Sequence, residues 1–201
     1  NFQPGDRVCA PFTTNCGQCF YCQAGLTSRC ERGELFGWVE KGVGLHGGQS
    51  QFVRVPLADG TLMRMPDELS SESALLLGDN LSTAHFATDL AEVSEQGIYA
   101  VVGCGTVGLL TIASALHRGA KSVIAIDPND SRATIAGQIG AHSFTDADAA
   151  AQAIADQTDG RGADSVMEMV GLPDAQSLAF RLIRPGGTMA VIGCHCTPHF
   201  A

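Results

Sequence analysis

At 201 residues the chain is long enough for one large domain or two small ones. Hydrophobic residues make up 45% of it and charged residues 16%, a balance that can bury a core and excludes global disorder. The net charge is −9 and the 12 Lys and Arg residues form no basic stripe, so neither nucleic acid nor an anionic membrane surface is an expected partner.

In chain order, the first sixty-odd residues read as strands and turns. "QPGD" signals a turn, and "RVCAPF" follows as a short strand. The segment "NCGQCFYCQAGLTSRC" then gathers Cys16, Cys19, Cys22 and Cys30. After the glycine-rich "GWVEKGVGLHGGQ", the alternating "QFVRVP" predicts a half-buried strand, and "DGTLMRMP" a turn and another strand. "SSESALLLGDNLSTAHFATDLAEV" predicts one or two helices.

From about residue 98 the texture changes. "GIYAVVG", "SVIAID", "HSFTD", "DSVMEMV" and "PGGTMAVIG" predict five strands. They alternate with four helical segments, "VGLLTIASALHRGA", "SRATIAGQIGA", "AAAQAIADQT" and "PDAQSLAFRLI". Gly119 and Gly140 are the expected stops of the first two. This alternation predicts an α/β fold, with a doubly wound parallel sheet covered by helices on both faces. The sequence starts without Met and stops just after an apolar strand, so the expectation is an internal piece of a longer protein. A signal peptide and a run of about eighteen apolar residues are both lacking, so cytoplasm is the expected location.

Two patterns carry chemistry. "GCGTVG" sets Gly103, Gly105 and Gly108 after a strand and at the head of a helix, with Thr106 and Val107 opening that helix. The first glycine permits a tight turn, the second lets a pyrophosphate approach the backbone, and the third lets helix and strand pack closely. The helix N-terminus offers N–H groups and a positive dipole end to phosphates. Asp127, nineteen residues after Gly108, ends the second strand. A carboxylate there accepts from the ribose hydroxyls and repels a 2′-phosphate, which favours NAD over NADP.

The second pattern is C-x2-C-x2-C-x7-C. Disulfides do not suit an acidic cytosolic nucleotide-binding protein, and the last gap is wrong for a bacterial-type iron–sulfur run. Four thiolates with two short gaps point to a closed, structural zinc site, with iron–sulfur ligation and free thiols as alternatives. A second metal group in "GCHCTPHF" (Cys194, His195, Cys196, His199) is the weaker reading against an ordinary loop. Cys9 and Cys104 read as small buried residues, and His85 as a packing or hydrogen-bonded helix residue rather than a metal ligand.

In combination, "GDRVCAP", the four-cysteine segment, "GGQSQFVRVP", "GCGTVG", "GRGADSVMEMVG" and "RPGGTMAVIG" resemble the zinc-dependent alcohol dehydrogenases of the medium-chain dehydrogenase/reductase superfamily. The formaldehyde-dehydrogenase-like and polyol-dehydrogenase-like branches are the most similar. The resemblance implies part of a β-rich GroES-like catalytic domain with a structural zinc lobe over 1–78. A Rossmann domain over 79–201, incomplete after its fifth strand, would follow. It implies that Cys16, Cys19, Cys22 and Cys30 hold structural zinc. Asp79, in "LGDNLST", takes the place of a protein ligand to a catalytic zinc; read without the resemblance, Asp79 is more simply a helix cap. Thr83 and Val107 lie near the nicotinamide, Asp127 and Arg132 hold the adenosine, and Ile192, Gly193 and Cys194 meet the carboxamide. The family's upstream Cys and His ligands to the catalytic zinc are missing from this sequence. The implied activity is hydride transfer between an alcohol, or an aldehyde hydrate, and NAD, in a homodimer or homotetramer. The alternative is an inactive NAD-binding module that keeps only the structural zinc.

Overall fold

The structure, a computed structural model, describes residues 2–195. The chain forms two compact units that divide between Asp79 and Asn80.

The first unit holds little regular structure. Strands β1 (Val8–Cys9) and β4 (Met63–Arg64) pair antiparallel, Val8 opposite Arg64. Strands β2 (Val39–Glu40) and β3 (Val43–Gly44) form a hairpin. Its two-residue turn places Lys41 and Gly42 at positive φ, as a tight primed turn requires. Among the described residues three short α-helices, α1 (Phe20–Gln23), α2 (Ala58–Thr61) and α3 (Ser71–Leu75), and two 3-10 turns, Thr27–Arg29 and Leu76–Gly78, complete the unit.

Two expectations fail here. "QFVRVP" forms no strand, and Phe52 is 91% exposed. Alternation fits a strand to a sheet face, but pairing needs a partner edge, and none of the described residues supplies one. The turn expected at "DGT" is instead the helical turn α2.

The second unit follows the expected alternation closely. Helix α4 (Asn80–Leu90) leads into β5 (Ile98–Val102), α5 (Thr106–His117), β6 (Ser122–Ile126) and α6 (Asp130–Ile139). Strand β7 (His142–Phe144), α7 (Ala147–Thr158), β8 (Ala163–Glu168), α8 (Pro173–Leu182) and β9 (Ile183–Val191) complete it. The last strand starts before the expected "PGGTMAVIG". All five strands are parallel, in the order β7-β6-β5-β8-β9.

Strands β5 and β6 are buried at every residue, which is why they read as unbroken apolar runs rather than alternating ones. Successive side chains point to opposite faces. Tyr99 and Val101 join Ile112, Ala115 and Ala136 on one face, and Ile98, Ala100 and Val102 join Ile154, Ala179 and Leu182 on the other. Gly119 follows α5 at φ +85 and Gly140 caps α6 at φ +118. Both stop their helices by the left-handed turn that glycine adopts without strain. Among the described residues no helix is long and apolar enough to cross a membrane.

Candidate metal and cofactor sites

In the first unit a strap of backbone bonds closes the base of the cysteine loop. Thr14 N–H donates to the Glu34 carbonyl at 2.9 Å, and Glu34 N–H to Thr14 Oγ1 at 3.0 Å. Asn15 N–H donates to the buried Thr61 Oγ1 at 3.0 Å, which fixes the chain one residue before Cys16. The Sγ atoms of Cys16, Cys19, Cys22 and Cys30 all lie within 4.8 Å of one another. Cys16 and Cys22 sulfurs are 4.0 Å apart, about twice a disulfide bond. Tetrahedral zinc with Zn–S bonds of about 2.3 Å sets its sulfurs about 3.8 Å apart, so the four residues fit that ion.

Their surroundings suit thiolates. Backbone N–H groups of Gln18 and Cys19 point at Cys16 Sγ at 3.4 and 3.3 Å, and those of Cys16 and Arg32 at Cys30 Sγ at 3.3 and 3.4 Å. With the Gln18 amide first, then the Arg32 guanidinium, these contacts hold the Cys16 thiol down at about 5. Burial and the neighbouring Cys19 push Cys22 up to about 11. Four thiols this close cannot all ionise without a cation among them, which is the chemistry of a metal clamp.

In the second unit the glycine turn has the geometry its spacing predicts. Gly103 is at φ +95. A Cβ on Gly108 would lie 1.9 Å from the Gly103 carbonyl oxygen, so helix and strand meet there with no room for a side chain. A Cβ on Gly105 would meet nothing within 4 Å, which leaves the turn open to a ligand. Gly105 precedes the first turn of α5, where N–H groups of Thr106, Val107 and Gly108 have no partner within the helix. Thr106 is exposed and Val107 half-buried.

Asp127 sits just past β6, 4% exposed. Its Oδ2 accepts from Cys104 N–H at 2.8 Å and its Oδ1 from Asn129 N–H at 2.9 Å. The sequence assigned it to a ribose; it also ties the glycine turn to the end of the neighbouring strand. Each oxygen keeps a further lone pair. Arg132 Nη1 lies 3.7 Å from Oδ2, and α6 is capped by Asn129 accepting from Arg132 N–H. Gly103, Gly105, Asp127, Arg132 and Val170 line a cleft of about 480 Å³ at the carboxyl ends of the strands.

Ile192 and Gly193 are half-buried and Cys194 is exposed just beyond β9. Thr83 is half-buried on α4. Asp79 is exposed at the end of the first unit, on the rim of an apolar hollow with Phe12, Phe36 and Val55. Among the described residues the four cysteines are the one group of three or more such side chains that could hold a metal. Asp79 belongs to no such group. Cys196 and His199 lie outside the described residues, and His195 bonds Glu168 rather than a ligand cluster. His85 Nε2 is 2.9 Å from Arg118 Nη2, the hydrogen-bonded role expected for it. Cys9 is only half-buried, since its strand has a single short partner.

Cys104 is fully buried, and burial, helped by the Asp127 charge, raises its thiol to about 12. At pH 8 it is therefore protonated and unreactive. Iodoacetamide applied to the zinc-loaded chain at that pH is expected to label Cys194 while Cys104 reacts at least about a hundredfold more slowly. Mass mapping of the labelled peptides measures this; equal labelling would contradict the burial.

Comparison with known proteins fits both halves of this picture. Residues 1–67 match the alcohol dehydrogenase GroES-like domain and residues 106–199 the zinc-binding dehydrogenase domain. A medium chain reductase/dehydrogenase of an Acremonium species is 40% identical over 202 residues, covering 96% of this chain and 68% of that protein. The chain belongs to the medium-chain dehydrogenase/reductase family. Within that family, zinc-type alcohol dehydrogenase B of Aspergillus flavus is 38% identical over 97% of this chain and 47% of its own length. The alcohol dehydrogenase TADH of Thermus sp. ATN1 superposes on the whole chain with a TM-score of 0.93 at 35% identity, over 58% of that structure. The chain thus spans about half the length of most medium-chain dehydrogenase/reductase relatives it matches.

Glu168, wholly buried at the end of β8, does not stand out in the sequence as a site residue. The available signal was an acid inside the apolar run "VMEMV".

Proposed function

We propose that these residues form the cofactor-binding and structural-zinc part of an NAD-dependent, zinc-dependent alcohol dehydrogenase. The observation that carries this reading is the open Gly105 turn, with the Asp127 carboxylate fixed beside it in one cleft. The α5 N-terminus takes the pyrophosphate, Asp127 the adenosine ribose, Arg132 the adenosine side, and Ile192–Cys194 the carboxamide. Thr83 and Val107 flank the nicotinamide. Cys16, Cys19, Cys22 and Cys30 hold zinc as a structural tie. Asp79 would be one protein ligand of a catalytic zinc whose other ligands the described residues do not bring to it; such an ion would supply Lewis-acid chemistry at the alcohol oxygen, and NAD would supply the hydride acceptor. The chain's own residues bind and orient the cofactor so that donor and acceptor meet in one geometry. A small alcohol or aldehyde as substrate, a homodimer or homotetramer, and a cytoplasmic location complete the proposal.

The relatives include an NADP-dependent isopropanol dehydrogenase of Thermoanaerobacter brockii, 32% identical, so cofactor choice needs its own argument. A buried carboxylate at the ribose repels a 2′-phosphate. Asp127→Asn keeps one oxygen to accept the Cys104 amide hydrogen but loses the charge. NAD affinity is expected to fall about tenfold and the NAD-to-NADP preference to narrow by more than that. Calorimetric titration of both cofactors measures it. A parent chain that prefers NADP would refute the assignment of Asp127.

A further inference from the structure

One charged side chain in the second unit is completely buried and unaccounted for by the metal cluster or the glycine turn. Glu168 is 0% exposed at the end of β8. A carboxylate there is costly unless its lone pairs are used, so its partners are informative. Its Oε1 accepts from the backbone N–H of Val170 at 2.6 Å and of Gly171 at 2.8 Å. Its Oε2 lies 3.0 Å from Nε2 of His195, whose side chain is 11% exposed. Its main-chain carbonyl accepts from Ile192 N–H at 2.9 Å and Gly193 N–H at 3.0 Å.

One residue therefore fastens both loops that leave the carboxyl ends of β8 and β9. The loops are pressed together at their glycines. A Cβ on Gly171, at φ +82, would lie 2.6 Å from the Cys194 carbonyl oxygen, and one on Gly193 would lie 2.0 Å from the Gly171 nitrogen.

The strand order says what lies above these loops. Asp127 follows β6, on one side of the central β5; β8 and β9 lie on the other. A dinucleotide with its ribose at Asp127 and its pyrophosphate at Gly105 crosses the strand ends from β6 over β5 towards β8 and β9. Its nicotinamide half then rests on the loops that Glu168 holds.

We infer that Glu168, acting through His195 and the Val170 and Gly171 amides, is a positioning residue for the nicotinamide ring. It touches no part of the cofactor itself. It sets the backbone of 170–171 and 192–195 by taking up the N–H groups of Val170, Gly171, Ile192 and Gly193, which leaves the carbonyl groups of the two loops to accept from a carboxamide. The inference rests on the dinucleotide reading given above and goes beyond it, because it assigns the two halves of the cofactor to separately fastened parts of the sheet.

The test compares two ligands that differ only in the nicotinamide. NADH and ADP-ribose are titrated calorimetrically into the full chain, into Glu168→Gln and into His195→Ala. The expected result is an ADP-ribose affinity within about twofold of the parent in both variants, with NADH weakened about tenfold. His195→Ala leaves both amide bonds to Oε1 intact, so it answers the question even if Glu168→Gln does not fold. Equal losses for the two ligands in His195→Ala, or no loss for either, would overturn the inference alone. No binding of ADP-ribose to the parent chain would overturn the dinucleotide reading and this inference with it.

Discussion

Alanine at Gly108 is expected to destabilise the nucleotide-binding unit by about 2–3 kcal/mol and to remove measurable NAD binding. The cause is local. The added Cβ would sit 1.9 Å from the Gly103 carbonyl oxygen, a backbone atom that cannot swing aside as a side chain would. Either α5 must move away from β5 or the turn must open, and each displaces the N–H groups proposed to face the pyrophosphate. For a chain of this size the melting temperature should fall by roughly 5–10 °C. Gly105→Ala separates binding from folding. Gly105 has φ −71, and its Cβ would enter open space, so stability should change by less than about 0.5 kcal/mol. The methyl group would stand at the proposed phosphate position, and NAD affinity should fall about tenfold or more. Thermal melts paired with calorimetric titration test both variants. Normal NAD binding by Gly108→Ala would mean that this turn is not the phosphate site.

The largest stability effect belongs to the cysteine loop. Between Thr14 and Glu34 the chain buries little besides Asn15 and Cys16, while Phe20, Tyr21 and Leu26 are exposed. A loop with so little core takes its order from the ion, and structural zinc binding is worth about 10–16 kcal/mol in small zinc domains near neutral pH. Cys30→Ser removes the ligand farthest along the chain. Zinc content should fall from one per chain to below about 0.1, and trypsin should then cut quickly at the exposed Arg29 and Arg32. Cys9→Ser is the control, because Cys9 lies outside the four-sulfur group and should keep its zinc. Retention of a full zinc equivalent by Cys30→Ser would mean that the four sulfurs are not the clamp.

Legibility in the sequence differed between the two units for physical reasons. Strands such as β5 and β6 are buried on both faces, so their apolar runs and intervening helices stand out without any knowledge of tertiary contacts. Gly103, Gly105 and Gly108 were legible because each has a distinct steric reason to lack a side chain. The cysteines were legible because their spacing sets which sulfurs can converge. "QFVRVP" was misread because alternation reports a face, whereas a strand also needs an edge to pair with. Asp79 shows the same limit in the candidate site. Its role depends on partners that its local sequence does not name, and the described residues bring no two further ligands to it. Glu168 was overlooked for the opposite reason. Its importance lies in the two loops it joins, and a strand register with a fully buried acid is visible only in three dimensions.

Native mass spectrometry of the intact chain, with NAD and NADP offered in turn, tests the central claim most directly. The account predicts one zinc bound through the four cysteines, and a one-to-one complex with NAD that forms at lower concentration than the complex with NADP. A chain that carries no zinc, or that retains neither cofactor, would contradict it.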